Sequence, residues 1–110
     1  MSISDTKSVD IIQVDQTNKI TRLIITDHLE WIGGKPDDAH LWKLQEKVNC
    51  YLSYVESGQL DADYPDQTGN QIVIQVYGKF DRSPSAVAFY GQLKEVLAKA
   101  LYQIEFILKD

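Results

Sequence analysis

The sequence predicts an α+β (or α/β) fold, a two-layer sandwich in which a four-stranded mixed sheet carries two helices on one face. Apolar and polar residues alternate in four segments, and apolar residues recur every three or four positions in two others. The segments follow one another in the order β-β-α-β-α-β. Because strand–helix–strand crossovers are right-handed, both helices are expected on the same side of the sheet. The simplest strand order is sequential, with the first strand antiparallel to the other three.

The first two strands are predicted at residues 9–16 and 20–27, where β-branched residues alternate with polar ones. Only Thr17, Asn18 and Lys19 separate them. Asn18 tolerates a left-handed backbone conformation, so a short turn and an antiparallel hairpin are expected here.

A long amphipathic helix is predicted after the two adjacent glycines. Asp37 or Asp38 is expected to cap its first turn and to place negative charge near the positive end of the helix dipole. Gly58 is expected to end it, because glycine adopts the left-handed conformation common just past a helix. The apolar stripe of this helix comprises Leu41, Leu44, Val48, Tyr51, Leu52 and Val55.

The second half of the chain continues with a loop at 59–70, a strand within 71–80, a helix and a final strand within 102–109. Ser83 has the side chain of an N-cap residue, and Pro84 suits the first helical position. The stripe of this second helix comprises Ala86, Phe89, Tyr90, Leu93, Val96 and Leu97.

The length of 110 residues predicts a single domain over residues 1–110, with residues 1–7 as a flexible N-terminal tail. The net charge of −5 and the lack of any Lys or Arg run disfavour nucleic-acid binding. No segment is apolar over the length of a membrane span, and no secretory signal is visible, so a cytoplasmic protein without a membrane partner is expected. Cys50 stands alone, which agrees with a reducing compartment.

The face of the sheet opposite the helices is expected to carry apolar side chains, notably Val73, Tyr77 and Ile107, since successive strand residues point to opposite faces. Exposed apolar surface of this kind marks contact sites. These three residues are therefore a predicted interface, for another protein or for a second copy of the chain.

The stretch 26–42 concentrates side chains that can carry chemistry, including both histidines and both tryptophans. His28 and His40, with Asp27 and Glu30, are weak candidates for a metal site, because they are ligand types in a spacing that matches no metal motif. The alternative is a structural strand-to-helix connection with partly exposed histidines. The sequence contains no catalytic or cofactor motif, so no catalytic residue and no cofactor are predicted.

The motifs D-H-L-x-W, at the end of the second strand, and L-Q-x-K-x-N-x-Y-L-x-x-x-x-S-G-Q, along the first helix, resemble a family of small bacterial proteins that is catalogued only as a domain of unknown function. The resemblance runs from about Ser4 to Leu108 and implies no activity. It implies a recurring group of residues near the start of the first helix. With Trp42, which flanks the same connection, the possible shared surface comprises His28, Trp31, Trp42, Gln45, Asn49 and Tyr51, and Gly58 belongs to the same pattern.

These observations favour a non-enzymatic cytoplasmic protein-interaction module, either self-associating through the open sheet face or similar to immunity proteins, which neutralise toxins through carboxylate-rich surfaces. The alternative is a metal- or small-ligand-binding protein that uses the region of His28 and His40.

Overall fold

The computed structural model describes residues 11–109. The predicted tail at 1–7 and the predicted start of the first strand at Val9 lie outside the described residues. The chain forms the predicted α+β sandwich, with one short helix and one 3-10 turn in addition. The elements are β1 (Ile11–Asp15), β2 (Ile20–Asp27), α1 (Asp37–Glu56), α2 (Gln59–Asp63), a 3-10 turn (Pro65–Gln67), β3 (Gln71–Gly78), α3 (Pro84–Lys99) and β4 (Gln103–Leu108).

The four strands form one sheet in the order β1-β2-β3-β4. β1 is antiparallel to β2, while β2, β3 and β4 are parallel to one another. Leu23 pairs with Ile74, and Ile74 pairs with Ile104, so one apolar row crosses the three parallel strands. The sequential order with an antiparallel first strand is confirmed.

The hairpin turn between β1 and β2 differs from the prediction in one residue. Lys19, and not Asn18, has the left-handed conformation, with φ +57°. Asn18 instead donates hydrogen bonds from its main-chain N and its side-chain Nδ2 to the two carboxylate oxygens of Asp15, at 3.1 and 2.9 Å. These side-chain bonds close the turn and leave the next residue to reverse the chain.

Helix α1 begins without the predicted aspartate cap. Pro36 precedes the first turn and no side chain caps it, whereas Asp37 and Asp38 place their negative charges inside that turn. The C-terminal end is as predicted, since Gly58 has φ +87° directly after the last turn. Lys47, a charged residue outside the predicted apolar stripe, is fully buried, and its ammonium lies 5.4 Å from the Tyr51 ring centroid.

The segment predicted as a loop, 59–70, contains α2 and the 3-10 turn. Leu60 is 1% exposed and anchors α2 to the core. Gln67 is also buried, and its side-chain oxygen accepts a hydrogen bond of 2.9 Å from the Thr21 hydroxyl, while its amide donates to Asp61. Packing and buried hydrogen bonds therefore order a segment whose sequence has no regular period.

Ser83 caps α3 as predicted, because its hydroxyl accepts a hydrogen bond from Ala86 N, and Pro84 is the first helical residue. Three residues of the predicted stripe, Ala86, Tyr90 and Leu97, are buried. Val96 is 61% exposed, so it does not contribute to the core.

The core lies between the sheet and helices α1 and α3, which both cover the same face. Leu23 and Ile74 of the sheet pack with Leu44 and Val48 of α1 and with Tyr90 of α3. The other core members are Ile25, Trp31, Tyr51, Leu60, Ile72, Val76, Ala86, Leu97 and Ile104.

The opposite face, called here the open face, is mixed rather than mainly apolar. Arg22 forms an ion pair with Asp15 at 3.6 Å, and Gln75 donates a hydrogen bond to Glu105 on the neighbouring strand. Ile20 and Val73 of this face lie near the starts of their strands, and its other apolar side chains lie toward the end where the parallel strands finish. They are Ile11, Ile24, Tyr77 and Ile107.

Among the helices of the described residues, none combines the length and the apolar character that crossing a membrane requires.

Candidate functional site

A buried Asp–His pair joins the end of β2 to α1. Asp27 is the last residue of β2, and its side chain points to the helix-covered face. The ring N–H at His40 Nε2 donates a hydrogen bond of 2.6 Å to Asp27 Oδ2. The side chains are 1% and 4% exposed. The other carboxylate oxygen accepts a hydrogen bond from Leu29 N at 3.1 Å.

Trp31 covers the imidazole of this pair. The Trp31 and His40 rings stack with a centroid distance of 3.4 Å and an interplanar angle of 11°. Trp31 is itself only 8% exposed. The stack holds the imidazole in one orientation and separates it from solvent.

Asp37 ties together the glycine connection and the start of α3. Its carboxylate accepts hydrogen bonds from Ile32 N (2.8 Å), Gly33 N (2.9 Å) and the Ser83 hydroxyl (2.6 Å). Burial alone would raise the pKa of Asp37, but the Ser83 hydroxyl, the two backbone N–H groups and the nearby His40 outweigh it and hold the pKa below its usual value. This carboxylate is therefore an acceptor that fixes the connection rather than a cap of α1.

Several buried polar atoms in and beside this cluster have no hydrogen-bond partner among the described residues. Within residues 11–109, the buried Trp31 Nε1, His40 Nδ1 and Tyr90 hydroxyl have no hydrogen-bond partner. Burial and the negative charge of Asp27 raise the pKa of Tyr90, and Arg82, whose guanidinium lies 5.0 Å from the Tyr90 ring centroid, opposes this. Tyr90 is therefore neutral at physiological pH.

The geometry of the cluster suits a structural role, in which buried hydrogen bonds hold the end of β2 against the helices. An imidazole oriented by a carboxylate is also the arrangement used in acid–base catalysis, where the second nitrogen must reach the substrate. Here that nitrogen, His40 Nδ1, is buried beneath Trp31. The pair holds β2, the connection and α1 together.

A groove of about 580 Å³ opens on the other side of the same strand ends. Its floor consists of the open-face side chains of Ile11, Ile24, Thr26 and Tyr77. Between residues 11 and 109, no helix covers this face. The remaining lining residues are Asp27, His28, Gly78, Lys79 and Lys109.

Three basic side chains form a row along the rim of the groove, which we call the basic rim: His28, Lys79 and Lys109. Each follows the last residue of a parallel strand, and those last residues are paired in register. Lys79 N donates to Asp27 O at 2.9 Å and Lys109 N donates to Gly78 O at 2.8 Å, so the strand geometry continues through the rim. The alternation of the strands places all three side chains on the open face.

The structure separates the four predicted metal ligands. Asp27 and His40 form the buried pair, His28 is exposed at the groove, and Glu30 is exposed beyond the end of β2. The prediction of partly exposed histidines is wrong for His40 and right for His28. In the part of the chain that the structure describes, no three His, Cys, Asp or Glu side chains are grouped as a metal site.

The residues of the possible shared surface also separate. Trp31 and Tyr51 are buried, and the Tyr51 hydroxyl donates a hydrogen bond of 2.7 Å to Ile24 O. Trp42, Gln45 and Asn49 are exposed along one side of α1, and Trp42 is 58% exposed. His28 belongs to the groove.

The three predicted interface residues all lie on the open face, but they differ in exposure. Val73 is only 6% exposed and offers little contact surface. Tyr77 and Ile107 are half-buried neighbours in the register, and Tyr77 lines the groove.

Sequence reasoning missed the lysines of the basic rim and the bond between Asp37 and Ser83. The rim could have been found, because a basic residue lies at or next to the end of each of the three predicted parallel strands. The Asp37–Ser83 hydrogen bond could not have been predicted from a local sequence pattern, because the two residues are far apart in the sequence.

Comparisons with curated proteins and with solved structures found no match. A protein-family model matches residues 1–110 of the chain, and its description is "Family of unknown function (DUF6572)". The chain belongs to this family of unknown function.

Proposed function

We propose that this protein is a non-enzymatic, cytoplasmic interaction module that binds another protein through the groove on the open face of its sheet. The observation that carries the proposal is the groove itself, about 580 Å³ with an apolar floor, on a face that none of the described helices covers. Concave apolar surface left on a folded domain is characteristic of a binding site.

The chemistry of the rest of the molecule supports a protein partner. The net charge of −5 opposes binding to a nucleic-acid backbone. The buried Asp27–His40 pair is enclosed by Trp31 and presents no reactive atom to the groove. The single cysteine agrees with a reducing compartment.

Photo-crosslinking in the native host tests the proposal. A benzophenone-bearing phenylalanine analogue replaces Tyr77 on the groove floor, and the same analogue at Val96, on the outer side of α3, is the matched control. We expect one protein to be crosslinked from position 77 and not from position 96. Position 66, in the 3-10 turn that follows Asp61 and Asp63 of α2, tests the immunity-like version, in which carboxylates make the contact.

The outcomes separate the candidates. A product that contains two copies of this chain, formed from position 77, supports self-association through the groove. A specific product from position 66 alone overturns the groove and favours the immunity-like version. Crosslinking at positions 77 and 96 to the same proteins contradicts the proposal.

The groove also supports the alternative of a small ligand, because its volume lies within the range of small-molecule sites and His28 lines it. Native mass spectrometry of the protein purified from its own host tests this alternative. A bound mass that is lost on Tyr77→Ser substitution supports it, and the mass of the bare chain contradicts it.

A further inference from the structure

We infer that the groove recognises an acidic segment of its partner, an extended stretch in which carboxylates accompany apolar side chains. This inference rests on the proposed function and adds the chemistry of the partner.

The first argument is the geometry of the basic rim. Asp27, Gly78 and Leu108 are paired across β2, β3 and β4, and the next residue on each strand is basic. Neighbouring strands lie about 5 Å apart, so the three basic groups begin from positions at that spacing along one edge. Such a row can contact more than one carboxylate of an extended chain.

The second argument is that the lysines of the rim have no acidic partner among the described residues. Within residues 11–109, no carboxylate forms an ion pair with Lys79 or Lys109. Their ammonium groups lie 5.7 Å from the Phe80 ring centroid and 5.8 Å from the Tyr77 ring centroid, respectively. The aromatic contacts hold the side chains near the surface while the charges stay available.

The third argument is the contrast with the rest of the molecule. A chain with a net charge of −5 gathers three basic side chains beside this apolar groove. A positive patch on an acidic protein attracts and orients a negatively charged segment. The apolar floor of Ile11, Ile24 and Tyr77 then accommodates apolar side chains of that segment.

A peptide fits this arrangement better than a nucleic acid. Three basic side chains are few for a phosphate backbone, and the net negative charge repels a long polyanion. A short peptide segment with a few carboxylates can contact the basic rim without extending over the rest of the protein surface, which is acidic.

Selection of peptides from a random library displayed on phage, with the purified protein as target, tests the inference. We expect the selected peptides to be enriched in Asp and Glu next to apolar residues. Fluorescence anisotropy then measures the affinity of one labelled peptide for the protein and for the Lys79→Glu/Lys109→Glu variant. We expect the variant to bind at least about tenfold more weakly, because attraction becomes repulsion at the rim.

The matched control is Lys35→Glu/Lys94→Glu, which changes the net charge equally at exposed positions outside the groove. We expect its affinity to stay within about twofold of the original, because distant surface charges contribute little. A peptide with its acidic residues changed to lysine is expected to prefer the Lys79→Glu/Lys109→Glu variant. Urea unfolding of both variants verifies that they are folded.

Selected peptides without enrichment in acidic residues, equal affinity for both variants, or the failure to select any groove-binding peptide would overturn the inference. A protein crosslinked from position 77 through a neutral or basic segment would also overturn it, while leaving the proposed function intact. If acidic peptides are enriched but no protein is crosslinked in the host, the preference of the groove for acidic segments would stand and the proposed function would be contradicted.

Discussion

Asp37 accepts three hydrogen bonds with one buried carboxylate, and its partners belong to the glycine connection and to the start of α3. We expect Asp37→Asn to lower the free energy of unfolding by about 2–3 kcal/mol, because an amide offers one acceptor oxygen and leaves buried donors unpaired. Urea unfolding measures this. Asp38→Asn, an exposed neighbour in the same turn, is the control and should change stability by less than about 0.5 kcal/mol.

The lowered pKa of Asp37 also predicts how stability depends on pH. The folded state binds this proton less readily than the unfolded chain does, so acid favours unfolding. The stabilisation by this carboxylate is complete above its ordinary pKa of 3.8 and is lost as the pH falls through the lower pKa of the folded state. We expect the stability difference between the original protein and Asp37→Asn to shrink on acidification. A difference that grows below pH 3.8 would contradict this assignment.

The Asp27–His40 pair should show strong energetic coupling. His40→Phe keeps a ring against Trp31 but leaves the Asp27 carboxylate without its buried partner, which costs about 3 kcal/mol or more. Asp27→Asn in the same background removes the unpaired charge. We expect the double variant to be more stable than the sum of the single effects predicts, by at least about 1 kcal/mol. Additive effects in urea unfolding would rule out the coupling.

Sequence reasoning identified the residues of this cluster but not their roles. The stretch 26–42 stood out because it holds the histidines and tryptophans. That His40 faces the core follows from how α1 packs on β2, and that Asp37 bonds Ser83 follows from where α3 begins. Both are tertiary facts, which local patterns do not contain.

At the level of elements, substitution of two glycines by alanine is expected to change the stability of the protein in opposite directions. A Cβ added at Gly78, at the end of β3, would lie within 2.6 Å of Phe106 Cζ, whereas one added at Gly91, within α3, meets nothing within 4 Å. We expect Gly78→Ala to destabilise the protein by about 1–3 kcal/mol, because the half-buried Phe106 ring, which packs against Tyr90 and Arg82, must move. We expect Gly91→Ala to stabilise it by about 0.5–1 kcal/mol, because alanine favours the helix.

Thermal and urea unfolding of both variants measure these effects. The Phe106→Leu background provides a further control, since the smaller side chain should reduce the loss caused by Gly78→Ala. An equal loss in both backgrounds would show that the ring contact is not its cause.

The elements themselves were predicted well where periodicity is strong and poorly where packing decides. The four strands and two long helices were found because apolar residues repeat at strand or helix spacing. Helix α2 was missed because it is short and depends on the single buried side chain of Leu60. Its neighbouring 3-10 turn depends on the buried bond between Gln67 and Thr21, which a sequence pattern does not reveal.

At the scale of the whole molecule, the alternation of strand residues predicted which side of the sheet the helices cover. It did not predict the character of the other side, because polar residues there pair across strands, as Gln75 does with Glu105. Apart from Ile20 and Val73, the apolar residues that remain are gathered at one end, where the basic rim adjoins them. The function we propose depends on this arrangement rather than on the apolar content of the face.

The proposed function requires above all that the open face be accessible in the folded protein. Ile24 and Ile25 are adjacent in β2, and Ile25 is fully buried beneath the helices while Ile24 lines the groove. Single cysteines at these two positions, each with Cys50→Ser, can be labelled with a thiol reagent under native conditions. We expect position 24 to react at least about tenfold faster than position 25, whose labelling requires opening of the core. Equally slow labelling at both positions would mean that the open face is covered, and would contradict the groove as a binding site.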